Sequence, residues 1–176
     1  MRVFFISFLM LFGTCASANA ACENVPQEVQ EYLRSEPGWA FVDVKDLVDD
    51  DKNLWEQAHS GQCPGVAIVD LDGKGQSYAL ALLRVSGRQV VEKLVVVRRQ
   101  SGQLKGRILV PPANVKHTDV AAPFVVWRAG PDTYRDLKTG RQVKLAHDGI
   151  VYEKMEATAT VHYLSKGRFS SILTSE

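Results

Sequence analysis

Hydrolytic chemistry needs two acids facing one cleft, or a nucleophile beside a base. The chain has few residues so spaced. Asp70 and Asp72 stand two apart at the end of an apolar run, which puts both on one face of a strand end. The four histidines, His59, His117, His147 and His162, show no metal-ligand spacing. His147-Asp148 is the best imidazole–carboxylate neighbour pair, but Gly149 follows it and the group reads as a turn. No G-x-S-x-G, S-x-x-K, H-E-x-x-H or P-loop pattern occurs. Trp39, Trp55 and Trp127 could line a sugar site, yet each lies in an apolar run or on a helical face and reads as core. Asp49-Asp50-Asp51 reads as a helix start, where acids meet the positive end of the dipole, rather than as a metal cluster.

The elements that must position these groups follow a leader. Arg2, an apolar stretch from Val3 to Phe12 and small residues at Ala18-Asn19-Ala20 form the three-part pattern of a secretory signal peptide, cleaved after residue 20. Its apolar run is too short to span a bilayer, and no second stretch is longer, so no transmembrane segment is expected. Cys15 falls in the leader. Cys22 and Cys63 remain, and in an oxidising compartment they are expected to form a disulfide rather than a reactive thiol at Cys63. The product is periplasmic or secreted. Residues 21–176 suit one domain with one core.

Asn24 with Gln27 has the form of a capping box opening a first helix, with Val25, Val29, Tyr32 and Leu33 on one face. Glu36-Pro37-Gly38 ends it, and Trp39 to Val44 reads as a short strand. The Asp49–Asp51 run caps a second helix, with Leu54, Trp55 and Ala58 inward and Gly61 past its end. Strands follow at Val66–Val69, Tyr78–Val85, Val90–Arg98 and Leu104–Val110, where Pro111-Pro112 ends the series. Phe124–Arg128, two short segments flanking Thr139-Gly140, Ile150–Tyr152, the alternating Ala157–Tyr163 and Phe169–Leu173 complete the pattern. The alternation sets His162 opposite Ala159 and Val161, a position expected to be exposed. The fold class is α+β: two N-terminal helices followed by an antiparallel β-meander of about eight strands.

Charge is polarised along the chain, although the whole carries a formal net charge of only +1, which argues against nucleic acid as a partner. Residues 23–56 hold 10 acidic and 3 basic residues, and residues 84–116 hold 8 basic and 1 acidic. Either the two regions neutralise each other, or Arg84, Arg88, Lys93, Arg98, Arg99, Lys105 and Arg107 form a basic hairpin that docks an acidic partner.

The stretch CPGVAIVDLDGKGQSYALALL, residues 63–83, resembles the FG-GAP or VCBS-type repeat, in which an apolar strand leads through an Asp-rich loop into an aromatic-led strand. The resemblance implies a strand-loop-strand unit whose loop acids ligate calcium. Asp70 and Asp72 match the first and third ligand positions and Gly75 the turn glycine. Lys74 stands at the fifth position, where its charge repels a cation, and Tyr78 at the ninth, so no calcium and no other cofactor is expected. Only one such unit is present, which excludes a propeller of repeats.

Export, a stapled β-sheet, polarised charge and the lack of a catalytic set point to an exported cell-envelope binding module. Its sharpest form is an inhibitor or immunity-type protein that docks on a protein partner. The alternatives are a cell-wall or carbohydrate hydrolase, with Asp70 or Asp72 near His59, Trp55 or His147, and a calcium-stabilised FG-GAP-like structural unit.

Overall fold

The computed structural model describes residues 22–87, 89–115 and 123–175. The expected signal peptide at residues 1–20 with Cys15, Arg88 of the expected basic hairpin and His117 lie outside the described residues. The elements run α1 (Gln27–Arg34), β1 (Ala40–Phe41), a 3-10 turn (Val44–Asp46), α2 (Asp49–His59), β2 (Val66–Val69), β3 (Ser77–Ser86), β4 (Gln89–Gln100), β5 (Gln103–Val115), β6 (Val125–Ala129), β7 (Thr133–Arg135), β8 (Gln142–Lys144), β9 (Gly149–Lys154), β10 (Thr158–Ser165) and β11 (Arg168–Ser175). The class is α+β. No helix among the described residues is long and apolar enough to cross a membrane.

In place of a single eight-strand meander, the described residues form eleven strands in three antiparallel sheets. The first sheet has the order β1-β3-β4-β5, with β2 also on β3. β1 lies opposite Leu82 and Leu83, and β2 opposite Ser77 to Leu80, so both share one edge of β3. The second sheet has the order β11-β10-β9-β6, and β7 and β8 form a separate ribbon. The reason lies in β3 and β4, which are apolar on both faces. Tyr78, Leu80, Leu82, Val95 and Val97 face α1, with Val29, Tyr32 and Leu33 packed over them. Ala79, Ala81, Leu83, Leu94 and Val96 face Trp55 of α2 and the second sheet. One meander cannot cover a sheet that needs partners on both sides, so the chain folds back as a second sheet.

The same principle corrects the position of His162. The alternation along β10 holds, with Ala159 and Val161 packed beneath the β7–β8 ribbon. The opposite face is also covered, and Nε2 of His162 is buried beside the Tyr152 ring with no partner. Pro111-Pro112 does not end β5. It sits in an edge strand where Glu92 pairs with Ala113 and Leu94 with Val110, and proline's missing N–H is tolerated at such a bulge. The expected helix caps also differ. Pro26 and Val48 hold the N-cap positions with no side-chain cap, and Ala58 is exposed. The expected strand after Trp39 shrinks to two residues, because Asp43 and Asp46 form a reciprocal cap around the 3-10 turn.

Cys22 and Cys63 form a disulfide across a sequence separation of 41. It ties the segment before α1 to the start of β2. Gly65 lies just beyond, where a Cβ would sit 2.6 Å from both the backbone N and O of Val42. Only glycine lets β2 pass that close to the end of β1.

Candidate functional site: the seam between the sheets

β2 and β6 lie side by side but form no ladder, so the two sheets meet along an open seam. The seam is clasped at both ends. At one end Val126 N–H donates to Pro64 O at 2.8 Å. At the other, Asp148 N–H donates to Asp70 O at 3.0 Å, and Asp70 N–H donates to Asp148 Oδ2 at 2.9 Å. Strand alternation turns the backbone N–H and C=O of Ile68 and Arg128 toward the stretch between the clasps.

Between the clasps opens a pocket of about 530 Å³. Val25, Pro26, Val66 and Ile68 give it an apolar side, and Ile68 is 44% exposed there. Its floor is aromatic. His59, the last residue of α2, stacks at 4.3 Å on Trp55 and at 5.3 Å on Trp127. Trp55 is anchored by donating Nε1–H to Gln62 O at 3.0 Å, and Trp127 by donating to Glu153 Oε2 at 2.9 Å. Burial lowers the His59 pKa, while the charge of Glu153 pulls it upward, and the ring stays neutral near pH 7. Asn24, Gln62 and Arg128 supply the polar lining, and among the described residues Arg128 is the one formally charged residue of the wall. The described lining contains no acid, no serine and no free thiol, since Cys63 is in the disulfide. The arrangement can bind an apolar group and an anion, and it holds no nucleophile–base pair.

The basic residues singled out from the sequence are mostly turned to internal use. Lys93 Nζ bonds Glu36 Oε2 at 2.6 Å and sits 4.1 Å from the Trp39 ring centroid. Arg99 bonds Glu28 at 2.6 Å, in a pair that is half exposed and therefore weak. Arg98 Nη2 reaches both carboxylate oxygens of Asp72 at 2.8 Å and holds that acid below its ordinary pKa. Arg84 lies over Trp39 and Arg107 over Phe169. Both are exposed, as is Lys105. The acidic N-terminal region is thus docked on the basic strand within one chain.

The Asp70–Asp72 loop is likewise committed. Asp70 Oδ1 accepts Gly73 N–H at 2.9 Å, and Asp72 is held by Arg98. His147 comes to this loop, its ring lying where a side chain on Gly73 would be. It lines a pocket of about 300 Å³ with Lys144, Asp148 and Lys166. His59 and Trp55 belong instead to the seam. Among the described residues no group of three or more histidine, cysteine, aspartate or glutamate side chains is placed to hold a metal ion.

A second buried polar group lies between the sheets. Glu92 is 6% exposed and accepts Phe124 N–H at 3.4 Å. Burial pushes its pKa up to about 7, against the pull of that N–H and of Lys154. Phe124 stacks on Tyr152 at 4.5 Å, and burial draws the pKa of neighbouring His162 down to about 4.

No protein-family model matches the chain, and comparisons with curated proteins and with solved structures find no match. The sequence suggests His59 and Trp55 near Asp70 or Asp72, and Trp55 and Trp127 with Trp39, but not His59 with Trp127, and it does not mark Ile68, Gln62 or Arg128 as site residues. The available signal was Ile68, which alternation on β2 places opposite buried Ala67 and Val69.

Proposed function

We propose that this chain is an exported binding module of the cell envelope that docks on a protein partner, in the manner of an inhibitor or immunity protein, through the seam between β2 and β6. The observation that carries the reading is the seam pocket. It combines an exposed aliphatic side chain, a half-buried tryptophan and one arginine, the mix of anchors that dominates protein interfaces. The leader pattern at residues 1–20 and the disulfide support a place outside the cytoplasm. The hydrolase alternative would need Asp70 or Asp72 free beside a base, and both carboxylates are engaged. A calcium-stabilised FG-GAP-like unit would need the same two acids as ligands, and meets the same obstacle.

Affinity capture from envelope extract of the source cells tests the proposal. The tagged chain retains a partner, Ile68→Asp loses it, and the control Lys105→Glu/Arg107→Glu on β5 keeps it. Loss in the control with retention by Ile68→Asp would move the interface to the basic hairpin. No retained partner would reject the binding reading.

A further inference from the structure

The charge of the seam pocket is one-sided. Among the described residues its lining carries Arg128 and no acid, and burial disfavours the charged form of His59. Arg128 is 62% exposed on its side chain, and its one ion pair among the described residues is a long contact from Nε to Asp148 Oδ1 at 3.9 Å. Asp148 spends its other oxygen on the Asp70 N–H, and Glu153 is turned to the Trp127 indole behind the wall. The guanidinium fork is therefore placed to take a carboxylate in two parallel bonds. The apolar strip of Val66, Ile68 and Trp127 begins beside it. The seam is clasped at Pro64–Val126 and at Asp70–Asp148, so no strand can be inserted between β2 and β6. What enters the pocket is therefore a side chain and a charge rather than an added strand.

We infer that the seam pocket receives the C-terminal residue of a partner chain, its aliphatic or aromatic side chain against Ile68 and Trp127 and its α-carboxylate on Arg128. This rests on the protein-partner reading above and names the part of the partner that is bound. A C-terminal residue carries its carboxylate and its side chain on one Cα, whereas in an internal segment the two groups belong to different residues and stand further apart.

The test is a tryptophan-fluorescence titration of the whole chain, with Trp127 in the wall as reporter. The probes are N-acetyl-Gly-Leu and N-acetyl-Gly-Phe, each as free acid and as C-terminal amide. The acids give a saturable change, and the amides bind at least tenfold more weakly, as loss of a charge-assisted pair requires. Arg128→Gln weakens the acids at least tenfold, and Arg128→Lys recovers part of the loss, while the exposed position leaves the far-ultraviolet circular dichroism unchanged. Equal binding of acid and amide, no saturable signal, or wild-type affinity in Arg128→Gln overturns the inference. So does tighter binding of free 3-phenylpropionate than of the peptide acids, which would make the ligand a small carboxylic acid. Carboxypeptidase trimming separates the two claims. A captured partner that survives trimming with undiminished retention sinks the chain-end inference and leaves the protein-partner reading intact. Acid-selective peptide binding with no partner captured does the reverse.

Discussion

Replacing Glu92 by glutamine changes one buried charge and little else. The carboxyl is 6% exposed, in the core between the two sheets, and its one hydrogen bond in that core is from Phe124 N–H. Burial raises its pKa from the ordinary 4.5 to about 7. The folded state therefore holds the proton more tightly than the unfolded state. Stability is fully present below pH 4.5 and is lost as pH rises toward 7. At about 1.4 kcal/mol for each tenfold change in proton concentration, the loss is about 3 kcal/mol. Glutamine cannot ionise, and its carbonyl still accepts the Phe124 N–H. Its amide group adds a cost of about 1–3 kcal/mol if left unpaired, but that cost does not vary with pH. The quantity to measure is the difference in unfolding free energy between Glu92→Gln and wild type, by urea titration at pH 4.5 and at pH 8. That difference should move by about 3 kcal/mol in favour of the variant between the two. A difference that stays constant across the range, or moves the other way, would refute the argument that this carboxyl is held neutral by burial.

His162 gives the opposite slope. Its pKa is lowered from 6.5 to about 4, so stability is lost as pH falls through that window, and His162→Phe should remove an acid loss of about 3 kcal/mol seen in wild type. In wild type the two slopes oppose each other between pH 4.5 and 6.5, so the His162 loss is largely masked there and shows in full in Glu92→Gln, while His162→Phe leaves the Glu92 slope alone. Replacing Cys22 and Cys63 by serine should cost about 4 kcal/mol, from the entropy of the closed loop, and lower the melting temperature by roughly 10 °C; calorimetry under oxidising conditions checks it. Gly65→Ala should lose about 2–3 kcal/mol in a urea titration, because its Cβ meets Val42 backbone atoms that cannot rotate away.

What the sequence makes legible is local. Each strand of β2 to β4 shows in its own Val, Ile and Leu run, and the disulfide joins the two cysteines that lie after residue 20. The faces of β10 follow from alternation, but what covers a face does not. His162 is half-buried with its Nε2 enclosed beside Tyr152 of another strand, and no local pattern carries that. The double coverage of the first sheet did have a signal in Leu94-Val95-Val96-Val97, four apolar residues in a row that leave no side for water. Pro111-Pro112 misleads because a proline stops an interior strand but not an edge strand at a bulge. The candidate site was the least legible part. The seam brings residues 59–68 against residues 127 and 128, and that depends on where two sheets close, which is a property of the whole topology. The polarised charge was visible, but its resolution into the Glu28–Arg99 and Glu36–Lys93 pairs needed the docking of α1 and the segment after it on the sheet, and the Asp72–Arg98 pair needed the β2–β3 loop to fold over β4.

The most direct test of the seam as the binding surface is amide- and indole-resolved NMR of the labelled chain as the captured partner is added. The largest shifts are expected on the Trp127 indole N–H and on the amides of Ile68, Gln62 and Arg128. Shifts confined to Lys105, Arg107 and their neighbours on β5, with the Trp127 indole unmoved, would contradict it.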